Sequence, residues 1–189
     1  MKDTRKWFLF VLLVIFCLNL VACSEKKTND TYNNDIDNLT EVELQEFTSG
    51  SGLFSINIPK IEGEWTVVDT DDENFLVIDN SDKSFEVAVQ GMPKEDLLTD
   101  FDGLIEFYHQ SKLNEFVKTT EENIDIPDAL SAKAESYYVT RNNIVTKLLV
   151  VFIEKENGYY IYGINGIEDI YDANISIQRA AINNLTENI

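Results

Sequence analysis

Between Ile144 and Ile153 the chain is apolar on both faces of what must be one strand. Successive side chains of a strand point to opposite sides, so Ile144, Leu148, Val150 and Phe152 fall on one face and Val145, Leu149, Val151 and Ile153 on the other. Water cannot be left on either face without a large hydrophobic cost. This segment is therefore a central strand with a layer of structure above it and another below.

The flanking segments supply its neighbours. Ala132 to Thr140 is strand-like and turns at Arg141-Asn142-Asn143 into the central strand, and Glu156-Asn157-Gly158 turns it into Tyr159 to Ile164. Three consecutive antiparallel strands result. Upstream, Phe54, Ile56 and Ile58 alternate with Ser55 and Asn57 until Pro59. Trp65 to Val68 and Phe75 to Asp79 are further strands, the second turning at Asn80-Ser81-Asp82 into Phe85, Val87 and Val89.

After Gly91-Met92-Pro93 the apolar period changes from two to 3.6. Phe101, Leu104, Ile105, Tyr108, Leu113 and Phe116 make one helical stripe, with Thr99 as the expected N-cap and Asp100 and Asp102 near the helix's positive end. A second amphipathic helix is expected from about Asp169 to Leu185, with Tyr171, Ile175, Ile182 and Leu185 inward and Ala180 and Ala181 permitting close approach. The order of strands, helix, strands, helix predicts an α+β protein: an α/β/α sandwich with a central antiparallel sheet and two main covering helices.

The opening Gly52-Leu53-Phe54-Ser55-Ile56-Asn57-Ile58-Pro59 followed by Trp65, the mid-chain helix, and Gly158-Tyr159-Tyr160-Ile161-Tyr162 before a terminal helix resemble the PsbP-like fold. The resemblance spans Gly52 to Leu185. That family includes an extrinsic protein of photosystem II and many small bacterial lipoproteins. It implies binding or assembly functions and supplies no catalytic residue.

The N-terminus carries an address. Lys2, Arg5 and Lys6 precede an apolar run from Trp7 to Leu18, and Leu20-Val21-Ala22-Cys23 follows, which is the order of a secretory signal. The run is about a dozen residues, where a spanning helix needs about 20. The cysteine at the cut resembles a bacterial lipobox, and that resemblance implies that residues 1–22 are removed and a fatty acid is attached at Cys23. The protein is then expected on the outer side of the cell membrane, held by its lipid. Residues 23–51, rich in Glu, Lys, Asn, Asp and Thr, are expected to be a tether, with Val42, Leu44 and Phe47 as an alternative edge segment docked on the domain; residues 52–189 form that domain. The asparagine-rich, glycine-poor composition points to a low-GC Gram-positive source.

Cleavage before Cys23 removes Lys2, Asp3, Arg5 and Lys6 and takes the net charge from −19 to −21. Such a surface repels phosphate, so no nucleic-acid partner is expected, and the folded domain gains nothing from anionic lipid. Cys17 is discarded and Cys23 acylated, so the mature domain has no disulfide. The expected partners are the membrane, through Cys23, and a protein at the cell surface.

No cofactor motif is present. His109, the single histidine, follows the helical stripe and is expected to be a partly exposed helix residue, since no neighbour in sequence orients it. Asp69, Asp71, Asp72 and Glu73 offer the oxygen ligands that calcium prefers, but Asn74 stands where a calcium loop needs glycine and Asn80 where it needs glutamate. A solvated acidic turn is expected there, with weak divalent binding. Ser49-Gly50-Ser51-Gly52 reads as a linker end, and Gly163-Ile164-Asn165-Gly166 is too short for a dinucleotide loop. Of the tyrosine pairs, one member each should be core, leaving Tyr138, Tyr160 and Tyr162 as candidates for a recognition groove. The resulting expectation is a non-catalytic binding or assembly module. Two alternatives remain: a small-ligand or divalent-cation binder, and a hydrolase built on paired carboxyls, which would show them converging with raised pKa values.

Overall fold

The computed structural model describes residues 43–60, 65–80, 84–141 and 144–188. The segments expected to be signal and tether up to residue 42, Cys23 among them, and parts of the turns at 81–83 and 142–143 lie outside the described residues.

Ten strands and two α-helices follow one another along the described chain. The strands are β1 (Leu44–Thr48), β2 (Phe54–Pro59), β3 (Trp65–Val68), β4 (Phe75–Asn80), β5 (Phe85–Pro93), β6 (Val117–Asn123), β7 (Ser131–Arg141), β8 (Ile144–Glu154), β9 (Gly158–Ile167) and β10 (Thr186–Glu187). The helices are α1 (Phe101–Tyr108) and α2 (Glu168–Ile182). Seven strands form one sheet in the order β3-β4-β5-β9-β8-β7-β6, and β1-β2-β10 form a second, with every pairing antiparallel.

The two-faced strand is β8, and it does what its pattern requires. Leu149, Val151 and Ile153 enter a core with Phe54, Ile56 and Ile58 of β2 and Ala181, Ile182 and Leu185 at the C-terminal end. Val150 and Phe152 enter a separate core with Leu104, Ile105 and Tyr108 of α1. One face of the large sheet is thus covered by α2 and the small sheet, the other by α1. The fold is α+β, with antiparallel sheets and two helices, as the order of elements implies.

Three local expectations are revised. Ser49 to Gly52 is a hairpin turn rather than a linker end: β1 pairs with β2 over its whole length, Phe47 is buried, and Gly52 sits at φ 75°, where a side chain would be strained. The packed unit accordingly begins at residue 43, and the docked alternative describes Leu44 and Phe47 better than a free tether. The mid-chain helix is capped by Asp100, whose side chain accepts from the Gly103 N–H at 2.9 Å, and not by Thr99. Thr99 instead crowds Gly103, since a Cβ there would lie 2.1 Å from the threonine hydroxyl. Lastly, α1 ends at Tyr108 and passes into a π-helical turn, His109–Leu113, and the strand β6 that follows has every side chain exposed. A strand with no buried face has no apolar period to announce it.

Candidate functional site

Strand β7 carries Ala132 and Ala134 toward the α2 side, and Lys133, Glu135 and Tyr137 toward α1. Glu135 is fully buried there, between Val150 of β8 and Glu121 of β6. A buried carboxylate must be satisfied on both oxygens. The Oε2 atom accepts a short hydrogen bond from the Tyr137 hydroxyl and lies 2.6 Å from Nε2 of His109. The Oε1 atom faces Lys133 Nζ at 3.3 Å and Lys118 Nζ at 3.5 Å. Both lysines also hold Glu121, at 2.7 and 2.6 Å, so charges of opposite sign alternate.

The electrostatics follow from those contacts. Burial pushes the Glu135 carboxyl up, but hydrogen bonds from Tyr137 and His109 outweigh it and hold the group below its ordinary value. The Glu121 carboxyl, bonded first by Lys118 and then by Lys133, is lowered to about 2. Burial and Glu135 together push the Tyr137 phenol up. Lys112, in the same π-turn as His109, is different. Its buried ammonium has no hydrogen-bond partner among the described residues, and desolvation lowers it to about 8.

The π-turn presents the imidazole to Glu135, with its ring edge-on to Phe152. Chemically this is an oriented histidine: a buried carboxylate holds one ring nitrogen, and the side chain remains one-third exposed. Ser111, the serine nearest in sequence, donates to the Phe107 carbonyl and is occupied as a helix back-bond. The arrangement ties α1, β6 and β7 together. His109 is partly exposed, as expected, but it does have an orienting acid, 26 residues away. The available signal was Glu135 itself, an acid at an inward position between Ala134 and Tyr137 in an alternating strand.

A second row of polar groups crosses β4, β5 and β9. Asp79 opposes Glu86, and Glu86 opposes Asn165, so all three share a face. Asp79 is buried, and the Asn165 Oδ1 is buried with no hydrogen-bond partner among the described residues. Burial, then the charge of Asp79, raises the Glu86 carboxyl from 4.5 to about 7. The folded state therefore binds a proton there that the unfolded chain has released, and stability falls as pH rises from 4.5 through about 7. Glu86→Gln should raise Tm at pH 8 by roughly 3–6 °C, allowing for partial exposure, and leave it unchanged at pH 4. Calorimetry at the two pH values checks this; equal melting of both proteins at pH 8 would remove Glu86 as a proton-holding group.

The remaining candidates separate. Tyr160 and Tyr162 are completely buried, because β9 is covered on both sides and neither member of a tyrosine pair there reaches solvent; they belong to the core and line no groove. Tyr138, near the open edge, is 37% exposed. Asp69, Asp71 and Glu73 are exposed in a turn organised by its own backbone, with Asp72 accepting from the Asn74 N–H and Thr70 donating to the Asp72 and Phe75 carbonyls. Among the described residues no three His, Cys, Asp or Glu side chains come together in a group that could hold a metal. No described helix is long and apolar enough to cross a membrane.

No family model matches the sequence, and no curated protein does. Solved structures do match. The chain is similar to cyanobacterial PsbP (CyanoP) from Synechocystis sp. PCC 6803, with a TM-score of 0.57 at 14% identity, covering 82% of this chain and 98% of that one. It is also similar to a protein from Bacteroides thetaiotaomicron, with a TM-score of 0.53 at 11% identity, covering 76% of this chain and 48% of that one. LpqN, involved in cell envelope biogenesis of Mycobacterium tuberculosis, has a lower TM-score of 0.45 at 11% identity, over 82% of this chain and 97% of that one. At these identities the likeness is one of fold, and the fold is PsbP-like.

Proposed function

We propose that this chain is a lipid-anchored extracytoplasmic protein whose PsbP-like domain binds or helps assemble a protein neighbour at the membrane, without catalysis. The order of features along the chain carries this reading: a secretory signal ends in Leu20-Val21-Ala22-Cys23, and the packed unit begins about 20 residues later. Acylated Cys23 is the anchor. One acyl chain binds a membrane marginally, whereas each buried methylene adds about 0.8 kcal/mol, so two or more chains hold the protein there. The segment between the anchor and β1 keeps so acidic a domain clear of the headgroups. The Glu135 cluster supports a structural role for the oriented histidine, since His109 from the π-turn and Lys118 from β6 both meet that carboxylate on β7.

Cys23→Ala is expected to abolish fatty-acid incorporation and to release the protein from the membrane fraction or leave its signal uncleaved. Metabolic labelling with a radioactive fatty acid reads this directly, and equal label in the variant would end the anchor assignment. A second reading, a hydrolase built on carboxyls, is favoured by one observation, Glu86 raised beside Asp79. Hydrolysis of an ester, amide or phosphoester panel that disappears in Glu86→Gln would put that reading first.

A further inference from the structure

The corner where β6 begins and β7 ends exposes three apolar side chains on one face. Val117 is 65% exposed and directly opposes Tyr138 on the neighbouring strand; Tyr138 and Val145 are each 37% exposed, and Val145 opposes Thr140 one row further on. The face is the one that α2 covers elsewhere, and α2 stops short of it. Lys147, paired with Glu168 at 3.2 Å and Asp172 at 2.6 Å on the flank of α2, lies over the Tyr138 ring at 5.6 Å. The ring is thus held in place before any partner arrives, with little side-chain entropy left to lose.

The edge of the sheet beside it is closed to strand addition. β6 is the last strand, but its ladder slips between Lys118 and Thr120, and it carries Lys118, Glu121 and Glu122 along seven residues. A bulge and charges are how proteins blunt an open edge. Contact at this corner is therefore made by side chains, with a rigid aromatic at the centre of a small apolar patch. The charge around it selects the partner. Glu122, bonded to Arg179 at 2.9 Å, stands on one side, and Glu168 and Asp172, which share the single Lys147, stand on the other, all about half exposed, on a chain of net charge −19. A second copy, an anionic lipid and a nucleic acid are all repelled.

We infer that Val117, Tyr138 and Val145 form the docking surface for a basic segment of a neighbouring protein, with an apolar side chain seated against Tyr138 and Lys or Arg reaching the flanking carboxylates. This rests on the reading of the domain as a binding module and names the chemistry of what it binds.

The test uses the full chain in its own membrane, with a photoreactive benzophenone side chain in place of Tyr138 and, separately, in place of fully exposed Leu98. The expected result is a protein adduct at position 138 whose cross-linked peptide has more Lys and Arg than Asp and Glu. Its yield should fall roughly tenfold on Val117→Lys and likewise on Val145→Lys, the second variant guarding against a folding defect in the first. Adducts at 98 with none at 138 overturn this surface while leaving the binding reading in place. The absence of protein adducts at both positions overturns both. An adduct to a second copy of this chain, to lipid or to an acidic segment, or one unmoved by either substitution, overturns the basic-partner assignment.

Discussion

Glu135→Ala is expected to lower Tm by roughly 10–15 °C, corresponding to about 3–5 kcal/mol for breaking a buried charge pair. The loss is large because the carboxylate is the common acceptor for groups from three elements. Without it the Tyr137 hydroxyl, buried with the rest of its side chain, has no partner at that position, and Lys118 and Lys133 face each other across Glu121 alone. His109 is released as well, so amide exchange should accelerate along 101–113 and in β6 before it does in β8. Differential scanning calorimetry and hydrogen exchange together are diagnostic. A variant melting within about 2 °C of the parent would mean the cluster is a surface ion pair of little consequence. Acid should mimic the substitution. Both carboxyls sit below their unfolded value, so their stabilisation is complete above pH 4.5 and is lost as pH falls through their folded values, about 2 for Glu121.

Leu149→Asp should prevent folding. Leu149 is 1% exposed in the middle of β8, facing Val151, Ile153 and the β2 side chains, so an aspartate there either carries an unpaired charge into the core or folds only when protonated. The cost exceeds about 5 kcal/mol, comparable with the whole stability of a domain this size. Val145→Asp is the control on the same face of the same strand, four residues earlier and 37% exposed; it should melt within a few degrees of the parent. Circular dichroism melts of the chain from residue 43 onward separate the two. A cooperative transition in Leu149→Asp would place β8 at the surface and contradict the layered architecture.

What the sequence could state was whatever depends on local periodicity. The double apolar pattern of 144–153 required a central strand, and it is one; the 3.6 period after Pro93 required a covering helix, and α1 is there. The helix's cap and length were less legible, because Thr99 and Asp100 are both good caps and only the packing against Gly103 decides between them. β1 and β6 were least legible. Their residues are mostly exposed, Phe47 being the one buried side chain between them, and their strand character comes from backbone ladders with β2 and β7 rather than from an apolar period.

The same division holds for the site. Sequence alone identified Cys23, the acidic turn and the tyrosine pairs as chemically distinctive, since each is a local run of residues. It could not sort the tyrosines, because exposure depends on which layer lies over each strand; coverage on both sides buries Tyr160 and Tyr162, and the end of α2 leaves Tyr138 open. Nor could it join His109 to Glu135, or Asp79 to Glu86 and Asn165. Those contacts span helix to strand and strand to strand, set by register and by where α1 gives way to a π-turn. Charge and local period are additive along a chain and can be read from it, whereas the desolvation and pairing of an ionisable group are properties of the packed interior and exist only once the layers have closed.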